Sequence, residues 1–197
     1  MTTRIFLAGI LGGIAMYIWT TLAHTVLPLG EVGVREMKNE SAVVDALRGN
    51  VGNGDGLFLF PGLGPTPSRE AKHEAMRHMG EKLANGPSGF LVYHSRRPLN
   101  FPRLLVTEFA TELVQALLVV FLLAQTRLMS FGARVGFVSM AGILAAITTN
   151  ISYWNWYGFP KHYTATYMFI EIVGFIIVGI VSALLLRNRQ LAPPVTA

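Results

Sequence analysis

LLVTEFATELVQALLVVFLLA, residues 104–124, contains no lysine or arginine and only two acidic residues, Glu108 and Glu112. A helix needs about 20 mainly apolar residues to cross a hydrocarbon core ~30 Å thick. Inside that core no water can satisfy the backbone, so a span of this kind must be helical. The carboxylates are the exception in the stretch. An acidic side chain at membrane depth is costly and is retained where it faces a partner, a cavity or a site.

Three further apolar runs have the same character, near residues 5–27, 132–153 and 163–186. The chain therefore divides into a first membrane helix within 1–29, a loop region at 30–102, helices at 103–126, 132–153 and 163–187, and a tail at 188–197. Composition agrees. Of 197 residues 52% are hydrophobic and 14% are charged, with mean hydropathy +0.46. Soluble domains carry roughly 25% charged residues. The first run is too long for the apolar region of a signal peptide, about 7–15 residues, and Thr21-Leu22-Ala23 makes a poor cleavage site. It reads as a retained helix. The expected fold is an all-α membrane protein, a four-transmembrane-helix bundle with a small α+β extracytoplasmic cap between helices 1 and 2.

Basic residues set the expected orientation. Arg4, Arg127, Arg134, Arg187 and Arg189 flank the spans on one side if both termini are cytoplasmic. The short loop opposite carries Lys161. Region 30–102 then lies outside, which its many charges do not oppose, because long loops translocate largely regardless of charge. Tyr153, Trp154, Trp156, Tyr157 and Phe159 read as an interfacial loop at the outer face, with Tyr17 and Trp19 in the outer half of the first helix. Net charge is +5 and the basic residues are dispersed, which fits membrane topology and not nucleic-acid binding. Cysteine is absent, which excludes disulfides, thiolate metal sites and thiol catalysis.

Within 30–102, Asn39 caps an expected helix from Glu40 to Arg48, closed by Gly49-Asn50. Leu57–Phe60 reads as a strand. Thr66 or Ser68 opens a second helix to about Leu83, closed by Asn85-Gly86, with an apolar stripe of Ala71, Ala75, Met79 and Leu83. Phe90–Tyr93 reads as a second strand. These elements can hold a minor core that is marginal alone and packs on the helices or a partner. His73-Glu74 with His78 is a near-miss to the zinc-protease pattern. Its histidines are five apart, not four, so they point about 140° apart on a helix. Glu74 and His78 then form an ordinary i,i+4 pair.

Polar residues recur in the outer half of all four spans. By depth, Glu112 and Glu171 share one layer, while Glu108 shares a shallower one with His24, Thr149 and Asn150. Gln115 extends the Glu108–Glu112 face. The candidate cluster is thus Glu108, Glu112, Glu171, His24, Asn150 and Gln115. Such a cluster can fasten helices, carry protons or cations, or hold a metal ion on Glu108, Glu112, Glu171 and His24. The spans lack the Glu-x-x-His pairs of bundle di-metal sites. His24 and His162, both at the outer face, are the pair that could ligate a haem. Neither a metal nor a haem is specifically implied. Gly9, Gly12, Gly13, Gly132, Gly136, Gly174 and Gly179 would let helices approach closely.

No reaction motif occurs. The expected function is a non-catalytic membrane accessory or structural subunit that assembles in the bilayer with a membrane-protein partner or as a homo-oligomer. The alternatives are a small membrane enzyme or metal- or cofactor-binding protein using the polar cluster, and a proton or ion pathway helper.

Overall fold

A computed structural model describes residues 3–186; the expected tail, with Arg187 and Arg189, lies outside the described residues. Four helices are long and apolar enough to cross a membrane: α1 (Thr3–Thr25), α4 (Phe101–Ala124), α5 (Phe131–Tyr157) and α6 (Lys161–Leu185). Between α1 and α4 come two shorter helices, α2 (Glu40–Val51) and α3 (Arg69–Asn85), and two strands, β1 (Gly56–Phe60) and β2 (Gly89–Tyr93). The chain forms two compact units, residues 35–99 and the remainder.

In the apolar unit α1 packs against both α4 and α6, and α5 packs along α6; α4 touches α5 and α6 only lightly. Glycines set the closest approaches. A Cβ at Gly13 would lie 2.9 Å from the Leu113 Cα, so α1 and α4 meet backbone to backbone there. Gly179 meets the Val135 backbone in the same manner, Gly9 and Gly12 meet side chain and backbone of Leu117 and Val178, and Gly174 takes the Met16 side chain. Gly132 and Gly136, expected to serve the same purpose, face open space: a Cβ at either would meet nothing within 4 Å. Gly142, not anticipated, takes the ring of Phe175 instead.

The core lies toward the end where α1 starts. Ile5 and Ala8 meet Val119, Val120 and Leu123 of α4, Val138 of α5, and Val178 and Leu186 near the end of α6. At this end Arg134 is 3% exposed, and its Nε donates to the Leu128 carbonyl at 2.9 Å. The basic side chain expected to flank a span is folded back to fasten the α4–α5 turn.

The element boundaries depart from expectation in instructive places. The aromatic segment 153–157 is helical, not loop, because α5 runs on to Tyr157 and ends only at Gly158, which adopts the left-handed conformation (φ 69°) that glycine takes without penalty. Helix α2 runs through Gly49 and Asn50 to Val51; the Asn50 amide donates back to the Ala46 carbonyl, and Gly52 (φ 73°) closes the helix. Asn39 and Ser68 cap α2 and α3 through bonds from the Ala42 and Ala71 amides.

In the smaller unit β1 and β2 pair antiparallel, Gly56 opposite Tyr93 and Phe60 opposite Gly89. The Tyr93 hydroxyl donates to the Gly52 carbonyl at 3.0 Å, tying the end of α2 to the strand pair. No residue from 35 to 99 is buried. The minor core expected from the α3 stripe is therefore absent: Ala71, Ala75, Met79 and Leu83 gain no covering layer, since α3 lies along no other element.

Candidate functional site

All six residues of the polar cluster line one cavity of about 570 Å³ at the end of the apolar unit where α1 finishes. Each long helix contributes: His24 from α1, Glu108, Glu112 and Gln115 from α4, Asn150 from α5, and Glu171 from α6. The spacing on α4 explains its share, because positions 108, 112 and 115 form one helical face. Apolar walls come from Met16, Leu104, Leu105 and Ile170, and aromatic ones from Tyr17 and Tyr167. Cavities of roughly 300–1,000 Å³ with apolar walls and a few polar groups are of ligand-binding size.

Burial increases inward. Glu108 and His24 are exposed, Glu171 is half-buried, and Glu112 is 4% exposed. The Glu112 Oε2 is buried with no hydrogen-bond partner. Thr20 hydrogen-bonds the same carboxyl, and Glu108 and His24 are its other polar neighbours. Glu171 is better satisfied, since the Asn150 amide donates to its Oε2 at 3.4 Å. Asn150 thus reaches the deeper layer with Glu171 and not the shallower layer expected for it. The cause is the longer α5, whose extra four residues past Tyr153 lower Asn150 by about 6 Å relative to the helix end.

Four polar side chains in the wall are committed to the backbone. His24 Nδ1 lies 2.9 Å from the Thr20 carbonyl, and a carbonyl only accepts, so the proton sits on Nδ1. Thr25 donates to the Thr21 carbonyl, Thr149 to Ala145 and Asn150 to Ala146. Glu108, Glu112 and Glu171 give the same lining three carboxyl groups.

The wall also contains an interhelical clamp that composition could not locate. Trp19 Nε1 donates to the Ile170 carbonyl at 2.9 Å, and the indole meets the Phe169 ring edge-on. Trp19, expected in the outer half of the first helix, thereby joins α1 to α6 beside Glu171.

The four residues considered as metal ligands share the cavity without converging. Among the described residues no group of three or more His, Asp or Glu side chains is arranged to hold a metal ion. The haem pairing also fails to form a site there, because His162 does not line the cavity. In the smaller unit Glu74 contacts His78 at 3.0 Å, as expected, and Arg77 at 2.6 Å. The Arg77 guanidinium holds the Glu74 carboxyl below its ordinary range. Asp55 is likewise held low, first by the Ser95 backbone N–H and then by His94, which together close the β1–β2 ladder.

No protein-family model, curated protein or solved structure matches the chain.

Proposed function

We propose that this chain is an integral membrane protein, a four-span bundle with both termini cytoplasmic and residues 30–102 as an extracytoplasmic cap, and that it binds a small ligand in the intramembrane cavity. The observation that carries the binding reading is the orphan Glu112 Oε2 on a cavity that four helices build together. Thr20 hydrogen-bonds the carboxyl from α1, yet its second oxygen is buried with no donor, which helix fastening alone does not require. A buried polar atom left unsatisfied costs about 1–3 kcal/mol, and proteins retain such costs chiefly where function needs them.

The test is the stability of ligand-free protein in detergent. Glu112→Leu keeps the volume and removes the orphan, so it should raise the unfolding free energy by about 1–3 kcal/mol. A fall of that size would make Glu112 a helix fastener and end the ligand reading.

An accessory role beside a membrane partner or a second copy is supported by a separate observation. The unit at 35–99 buries no residue, while Leu57, Leu59 and Val92 stay more than half exposed. A domain this poor in core gains stability from a covering surface. Cross-linking in native membranes should then capture a second chain through the cap. Recovery of an uncross-linked monomer at native abundance would remove this reading.

A further inference from the structure

We infer that the cavity ligand is an organic ammonium, a cationic amine carried on an apolar or aromatic body. This rests on the cavity being a binding site and specifies what it takes. Three carboxyl groups line the space and no lysine or arginine does. An anionic headgroup such as a phosphate would meet these carboxyl groups with only the His24 imidazole in the lining to receive it. The donors of His24, Thr25, Thr149 and Asn150 are already spent on backbone carbonyls. The buried Oε2 of Glu112 is satisfied by an occupant that brings its own donor. An ammonium brings three and a positive charge, and its natural seat is the unpartnered Oε2 of Glu112.

The remainder of the wall specifies the body. Met16, Leu104, Leu105 and Ile170 offer apolar surface, and Tyr17 and Tyr167, the latter stacked on Tyr163, add aromatic rings, a group that attracts cations. A bare inorganic cation would leave that surface uncovered, and the dispersed carboxylates do not converge as ligands for one. The gradient from exposed Glu108 to buried Glu112 supplies a route inward along one face of α4. The same chemistry is available from a water-soluble aryl or alkyl amine and from the amino headgroup of a lipid.

The experiment uses the full chain in phosphatidylcholine nanodiscs, titrated calorimetrically with 2-phenylethylamine, 2-phenylethanol and phenylacetate. The amine should bind saturably, the alcohol at least tenfold more weakly, and the acid not at all. Glu112→Gln should weaken the amine at least tenfold; Glu171→Gln, which spares the orphan, should weaken it less and serves if the first variant does not fold. Repeating the titration in phosphatidylethanolamine nanodiscs separates the sources. A competing lipid headgroup lowers the apparent affinity, whereas an unchanged affinity assigns the site to a soluble amine. Equal binding of amine and alcohol, both lost in Glu112→Gln, would overturn the cationic class while leaving a ligand site. No saturable amine binding overturns the inference, and with no stability gain in Glu112→Leu the ligand site falls too.

Discussion

The two ends of the apolar unit are built from the same four helices and come out differently. Where α1 begins, Ala8, Val120, Val138 and Val178 are fully buried, and Arg134 is turned back onto a loop carbonyl. Where α1 finishes, the helices leave about 570 Å³ lined with carboxylates. Glycine placement separates the ends. Gly9, Gly12 and Gly13 admit α4 and α6 against the first half of α1, and the second half carries Met16, Tyr17, Trp19 and Thr20 instead. Along α4 the inward face changes over the same distance from Glu108 and Glu112 to Ala116, Val119 and Val120. In lipid, helix association depends on close packing and interhelical hydrogen bonds. The packed end uses the first and holds the structure, which frees the other end to keep an unsatisfied group.

The comparison breaks most readily at Gly13. Gly13→Leu forces a side chain into the Leu113 backbone and should lower stability by about 3 kcal/mol, the upper part of the usual overpacking range. Thermal unfolding in detergent measures it. Unchanged stability would mean that α1 and α4 do not meet at Gly13, and the contrast between the ends would lose its cause. Next comes Arg134→Met, which removes the donor to the Leu128 carbonyl at the packed end and should cost about 1.5 kcal/mol. Glu112→Leu, a comparable removal of a buried polar group at the cavity end, should change stability in the opposite direction. Matching signs for the two variants would erase the distinction.

Four spans, two caps and the strand pair were legible because each rests on local chemistry: an apolar run of sufficient length, an Asn or Ser before a helix, a breaker after it. The six cavity residues were legible as polar groups at membrane depth. Their arrangement was not. Whether Glu112 would be bonded or orphaned depends on which faces meet, and that is fixed by contacts among residues far apart in sequence, such as Gly13 with Leu113. The bond that Arg134 makes was illegible for the same reason, since a flanking arginine that points away and one folded onto Leu128 have identical sequence neighbours. Depth counting erred at Asn150 because it assumed that α5 stops at Tyr153, and the stop signal that governs is Gly158.

Trp19 gives the smallest and most local test of the cavity end. Its indole N–H reaches the Ile170 carbonyl, one residue before Glu171, so it holds the α1 and α6 walls at a fixed separation. Trp19→Phe removes that donor and keeps a ring to meet Phe169. Interhelical hydrogen bonds in membrane proteins average about 0.6 kcal/mol, and a loss of that order is expected in thermal unfolding. If the cavity end is built for binding and the other end for stability, this small loss should be accompanied by a several-fold weaker response to 2-phenylethylamine. Gly9→Ala, at the packed end, should reverse the pattern: a larger loss of stability, because its methyl would press on Leu117, and unchanged amine binding. Equal effects of both variants on binding would show that the two ends act as one body and not as a scaffold and a site.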